Sequence, residues 1–288
     1  MELKDMLRPI FVDFLQLEKE IEFQKINIYE GTGVLRNNQF LKEIINHIFN
    51  ESGKYLRPAL VFLSARAVNE SIDEDYGSII KFAAAVEFLH SASLIHDDII
   101  DGSRFRRNQI TLNEQYDGNI AVLVGDILYS QFFSIMFNLD INREKHKELL
   151  QLFLKITKNM CFGELSEQRM RNPVIDPSIE EYLEVIENKT ACLMAGSCQG
   201  GAILAGADRD TMLALTRYGR YLGLSYQLID DYIDGDSIVK SDVYMIEKAN
   251  EYTELIRAEL GLLKESPYRN TLFQLSDFIM EEIQDKCR

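Results

Sequence analysis

Apolar positions recur at helical spacing from one end of the chain to the other. Leu7, Ile10, Phe11, Phe14, Leu17 and Ile21 predict a helix over 3–27, with Pro9 tolerable only near its start. Gly31-Thr32-Gly33 breaks it. Phe40, Ile44, Ile45, Ile48 and Phe49 predict a second helix over 37–50, which stops at Ser52-Gly53. The next starts near Lys54, carries Pro58 in its first turn and runs to 69. Further helices are expected over 76–101, 119–138, 143–171, 176–206, 209–234, 242–263 and 267–285. The stretch 119–138 is almost wholly apolar, which predicts burial on most of its faces. No convincing alternating strand and no 20–50-residue repeat interrupts the series. The expectation is an all-α helical bundle, one domain over 1–288.

Two helix ends change the picture. The apolar run from Leu89 ends in Asp97, Asp98 and Asp101, and the run from Leu222 ends in Asp230, Asp231 and Asp234. Acids four apart share a helix face and repel by roughly 0.2–0.5 kcal/mol, so such a face invites a cation. One triplet alone reads equally well as a solvated helix end. Two identical triplets predict two carboxylate jaws facing each other across a central cavity, holding Mg²⁺ ions that in turn hold a phosphate ester.

The cations gather where an anion would need them. Lys54 and Arg57 lie three apart at a helix start, where free N–H groups also favour anions. Arg106-Arg107 follows Asp101 closely enough for its loop to fold back over the acid face, and guanidinium forks suit phosphate oxygens. Taken singly, these are an ordinary charged first turn and a solvated loop. His90 lies two turns before Asp97 on one face, as a core histidine or a phosphate donor. Lys189-Thr190 and Gln227 are weak signals alone. The net charge of −15 argues against a nucleic-acid surface but not against a small anionic substrate gripped by metal ions. The cysteines form no CxxC pair, and Cys192 and Cys198 are expected as buried reduced thiols. With no spanning helix or signal peptide expected, a reducing, cytoplasmic setting follows.

As a set, these segments resemble the trans-polyprenyl diphosphate synthases. The family's elements stand here as Gly53 to Pro58, Asp97 to Arg107, Lys189-Thr190 and Gln227 to Asp234, in that order. Through Met160 to Glu164 and Ser225 to Asp231 the chain is similar to the catalytic subunit of heptaprenyl diphosphate synthases. The resemblance implies a bundle of the isoprenoid-synthase type and chain elongation of an allylic diphosphate by isopentenyl diphosphate. Asp97 and Asp101 would bind Mg²⁺ from one side, Asp230 and Asp234 from the other, with about three ions when substrate is bound. Arg106, Lys189, Thr190 and Gln227 would touch the allylic substrate. Lys54, Arg57, His90 and Arg107 would hold isopentenyl diphosphate. The catalytic set so implied is Asp97, Asp98, Asp101, Arg106, Lys189, Asp230 and Asp231.

Product length should depend on the residues below Asp97. Ala92 and Ser93 are small where aromatic family members block the tail, which implies a medium- or long-chain product. Each further open turn admits about 5.4 Å of chain. Phe88, Leu89, Phe132, Phe133 and Phe137 are floor candidates, or plain core packing. Asn108 and Ile110 depart from the family pattern, and a lysine-bearing segment expected after Asp234 is missing near 235–242, leaving only Lys240 and Lys248. A class I terpene cyclase and a partner-dependent subunit of a heteromeric synthase are the alternatives. Homodimerisation is implied by the family, with a small partner subunit as the other assembly.

Overall fold

The computed structural model describes residues 3–29, 39–50, 53, 55–72, 75–106, 109–172, 174–235 and 242–286, without the side chains of 3–4, 234, 242 and 282–286. Helices follow one another as α1 (Leu3–Met6), α2 (Phe11–Tyr29), α3 (Gln39–Asn50), α4 (Leu56–Val68) and α5 (Tyr76–Ile100). A two-residue hairpin comes next, β1 (Phe105–Arg106) with β2 (Gln109–Ile110), paired Phe105 to Ile110 and Arg106 to Gln109. The chain continues through α6 (Leu112–Gln115), α7 (Gly118–Phe137), α8 (Arg143–Met170) and α9 (Ile179–Ile186). A π turn, Glu187–Ala191, joins α9 to α10 (Cys192–Leu204). Then come α11 (Arg209–Asp234), α12 (Asp242–Gly261) and α13 (Pro267–Lys286). The all-α expectation holds.

The helix starts have local causes. Asp117, Asn142 and Asp208 each accept a hydrogen bond from a backbone N–H three residues on, and Ser178 with Glu181 forms a reciprocal capping box. The first helix departs from expectation: Pro9 sits in a 3₁₀ turn, Arg8–Ile10, that separates α1 from α2. A proline ring cannot continue an α ladder behind it.

Both acid-ended helices stop at a left-handed glycine. Gly102 follows Asp101 with φ +62°, and Gly235 follows Asp234 with φ +69°. In α5 the Ser103 N–H reaches the Asp98 carbonyl at 2.9 Å and the Gly102 N–H reaches Ile99 at 3.3 Å, a Schellman ending. In α11 the Gly235 N–H reaches the Asp231 carbonyl at 3.0 Å, the simpler left-handed stop. A side chain at either glycine would strain the backbone.

The chain falls into two compact units. One comprises Val12–Pro58 and Ile80–Asp140 and buries Leu17, Ile45, Phe82, Phe88, Leu128 and Phe132. The other comprises Met1–Phe11, Ala59–Ile79 and Ile141–Arg288 and buries Phe62, Phe153, Tyr182, Tyr218, Leu222 and Leu272. The first triplet belongs to the former, the second to the latter.

Helices α5 and α7 are long and apolar enough to cross a membrane, by length and composition. The apolar stretch of α5 is 78% buried and that of α7 only 39%. Val122, Leu123 and Phe137 of α7 stand open, which corrects the expectation of burial on most faces. Composition does not distinguish a core helix from one whose apolar face awaits a second surface. Of the thiols, Cys198 is buried, whereas Cys192 is half-buried.

Candidate active site

In the unit containing α5, the triplet's three acids have three environments. Asp97 is half-buried, Asp101 is exposed and Asp98 is only 6% exposed. The loop after α5 folds back because the Ser103 carbonyl accepts from the Thr111 hydroxyl at 2.7 Å and the Asn113 amide at 3.0 Å. This returns Arg106 to the helix, where its Nε donates to Asp98 Oδ1 at 2.7 Å. Burial pushes the Asp98 carboxyl above its ordinary pKa, and Arg106 pulls it part of the way back.

Arg57 and His90 also meet, with Arg57 Nη1 3.0 Å from His90 Nε2. A guanidinium only donates, so His90 Nε2 accepts and the ring proton resides on Nδ1. Tyr55, two residues before Arg57, has φ +46°, an uncommon left-handed conformation for a side chain of this size. Ala92 is fully buried and the Ser93 hydroxyl donates to the His90 carbonyl at 2.8 Å. Phe132 is fully buried and edge-on to half-buried Phe133, at 4.8 Å between ring centres. Phe137 is 63% exposed and stands outside this group. A cavity flanks Asp98 and Arg106, with His47, Ser91, Ile95 and Asn113 among its walls. His47 and Asn113 were not legible as candidate site residues, since nothing in their spacing links α3 to α6. Lys54 and Arg107 lie outside the described residues.

In the other unit, α8, α9, the π turn and α11 build a polar cluster. The Thr190 hydroxyl donates to Gln227 Oε1 at 2.8 Å, and Gln227 Nε2 donates to Asp231 Oδ1 at 2.8 Å. Tyr182 from α9 donates to Asp231 Oδ2 at 2.5 Å. Burial pushes the Asp231 carboxyl up, while Tyr182 and Gln227 oppose the rise. Asp230 is exposed. Lys189 Nζ lies 2.6 Å from Glu164 Oε2 and 2.5 Å from Glu167 Oε2. Arg171 Nη2 donates to Glu167 Oε1 at 2.7 Å. For Glu167, burial raises the pKa, but Lys189 and Arg171 outweigh it and hold the carboxyl below its ordinary value.

Sequence reasoning thus named Lys189, Thr190, Gln227 and Asp231, which the fold brings together, and missed Tyr182, Glu164 and Glu167. The two glutamates had a signal. They fall at 164 and 167 on a seam whose other buried positions are Leu149, Phe153, Ile156, Met160, Gly163 and Met170. Acids on an apolar seam need partners. The Asp234 side chain and residues 236–241 lie outside the described residues. Lys248 is paired with Glu251 at 2.7 Å. Among the described residues, no three His, Cys, Asp or Glu side chains converge as a ready metal site.

The fold is that of the isoprenyl synthases. The chain superposes over 97% of its length on 97% of the polyprenyl synthase of Caulobacter crescentus CB15, with a TM-score of 0.82 and 24% identity. That structure is complexed with calcium and isoprenyl diphosphate. The chain belongs to the polyprenyl synthetase family, whose profile matches residues 38–249. It is 36% identical over 222 residues to a prenyl transferase of Synechocystis, covering 77% of this chain and 66% of that protein. It is 37% identical over 195 residues to heptaprenyl diphosphate synthase component 2 of Bacillus subtilis, covering 67% of this chain and 53% of that protein. The match therefore spans between about half and two thirds of these relatives' lengths.

Proposed function

We propose that this chain is a prenyltransferase that elongates an allylic diphosphate with isopentenyl diphosphate, head to tail and in trans, to a medium- or long-chain polyprenyl diphosphate. One observation carries the reading. Each triplet ends its helix at a left-handed glycine, and each commits its middle acid, Asp98 or Asp231, to protein donors. We assign the outer acids, Asp97 with Asp101 and Asp230 with Asp234, to the metal, as the resemblance of the two triplets to the family's paired acid motifs implies.

Magnesium fits this donor set, because it is a hard cation that takes carboxylate and phosphate oxygens. Bound there, it supplies neutralisation of the charge that develops on the leaving diphosphate. The chain's own residues do the rest. Arg106, Lys189, Thr190 and Gln227 orient the allylic diphosphate, while Lys54, Arg57, His90 and Arg107 hold that of isopentenyl diphosphate. The allylic C–O bond breaks with its electron pair on the diphosphate. The isopentenyl double bond attacks the carbocation, and the proton then lost passes to the released diphosphate. Small Ala92 and Ser93 leave room for a growing tail.

A second reading, a catalytic subunit that requires a partner, is favoured by the relative named as a component and by the open apolar face of α7. The same face suits a homodimer. A reducing, cytoplasmic setting belongs to the same proposal. Incubation with radiolabelled isopentenyl diphosphate, farnesyl diphosphate and Mg²⁺ tests both readings. Linear elongated products support the first, and turnover only after a second protein is added supports the other. A cyclic hydrocarbon, or no product in either case, overturns both.

A further inference from the structure

A lysine on a helix is ordinarily a mobile surface cation, carrying much rotamer entropy. Lys189 is not held that way. Its side chain is 25% exposed, and its ammonium sits between two carboxylates that are themselves 12% and 11% exposed. Those carboxylates interrupt an otherwise apolar seam of α8, where an unpartnered acid would be costly. Arg171 holds the second oxygen of Glu167 from the far side, so that carboxylate is fixed before Lys189 is counted.

The backbone is arranged to allow the meeting. A Cβ at Gly163 would lie 2.5 Å from the Lys189 backbone N, so only glycine lets α8 approach the π turn this closely. The turn itself widens the helix by one residue at Lys189-Thr190, a feature that recurs at functional sites. A competing partner is close by. Lys189 and Glu167 both act electrostatically on Asp231, whose oxygens already accept from Tyr182 and Gln227. Without the glutamates, the ammonium would be drawn toward Asp231 and would disturb the second triplet.

We infer that Glu164 and Glu167 form a two-carboxylate clamp that positions Lys189 for the allylic diphosphate, with Glu167 the principal positioning residue. The inference rests on the proposed function in one respect, that Lys189 meets that diphosphate. The clamp holds the cation at one place and leaves its exposed quarter for the ligand to reach.

The test compares Glu167→Ala, Glu167→Gln, Lys189→Met and the Glu167→Ala/Lys189→Met double variant. It uses steady-state kinetics with Mg²⁺ and calorimetric binding of farnesyl diphosphate. Loss of a charged hydrogen bond at the clamp should raise the KM and Kd for the allylic diphosphate about tenfold in Glu167→Ala. The KM for isopentenyl diphosphate should stay within about twofold, since that substrate is held by other residues. Glu167→Gln keeps an acceptor for the ammonium and should recover most of the loss. In the Lys189→Met background, Glu167→Ala should add nothing. Equal changes in both KM values, or an undiminished effect in that background, overturn the clamp. If Lys189→Met itself leaves farnesyl diphosphate binding unchanged, the assignment of Lys189 to the allylic substrate falls, and the clamp with it. If Lys189→Met weakens binding and neither Glu167 variant does, only the clamp falls.

Discussion

The two triplets share a sequence pattern and a helix ending but satisfy their middle acid by different means. Asp98 is 6% exposed and meets a guanidinium from a hairpin loop. Asp231 is less deeply buried and meets a tyrosine hydroxyl from α9 and the carboxamide of Gln227, one turn back on its own helix. The first arrangement is an ion pair of no net charge, whereas the second leaves the carboxylate's negative charge in place. Identical letters thus produce a neutralised anchor in one unit and an anionic one in the other. What they share is that the middle position is bound within the protein.

The largest effect should come from the outer acids. Asp97→Ala is expected to lower turnover by about 10³-fold or more at any Mg²⁺ concentration, and near-normal product formation would contradict the metal role. The same substitution at Asp230 asks whether the triplets are equals, with a loss of about 10²-fold or more expected.

The middle acids separate on stability. Arg106→Leu leaves Asp98 buried without its cation and should cost about 2 kcal/mol in urea unfolding, below the range for a fully buried pair because the Arg106 side chain is 38% exposed. Tyr182→Phe removes one of two neutral donors from Asp231 and should cost about 1 kcal/mol. If the two losses come out equal, the ionic and neutral solutions do not differ in the way described.

Acid titration sharpens the contrast. The folded pKa values of Asp98 and Asp231 are raised, so each costs stability at neutral pH and that cost fades as pH falls through the folded value. The folded pKa of Glu167 is lowered, so its contribution is present above its ordinary 4.5 and is lost as pH falls through the folded value. The stability gap between the wild-type chain and Glu167→Gln, about 1 kcal/mol at pH 7, should therefore close below pH 4.5. A gap that does not change as pH falls from 7 into the acid range, or that is absent at pH 7, would contradict an ionised Glu167. The smallest change in rate is expected from Ala92→Phe, which should shorten the product while turnover falls only a few-fold, read by thin-layer analysis. An unchanged product would place the tail elsewhere.

The helices were legible because their apolar positions repeat, and their ends because Pro58, Ser178 and the glycines after each triplet act locally. Pro9 was legible as a strain but not as a break, because a first turn tolerates proline and a second does not. The hairpin at 105–110 escaped because two-residue strands carry no alternation. The π turn escaped because its residues read as uninterrupted helix. Among the candidate site residues, carboxylates and cations were picked out by their short motifs. Tyr182 was not, since its role depends on which helix lies opposite.

The π turn has a consequence for how insertions and deletions are tolerated here. It carries a residue surplus to the α ladder, so excising one position within 187–191 would let the hydrogen bonds run on without a step. The helices on either side would keep their phase, because the wide turn already absorbs the extra residue. What would be lost is the local widening, and with it the placing of Lys189 against Glu167 and of Thr190 against Gln227. A shortening that tidies the helix is therefore one that this chain should not survive with function intact.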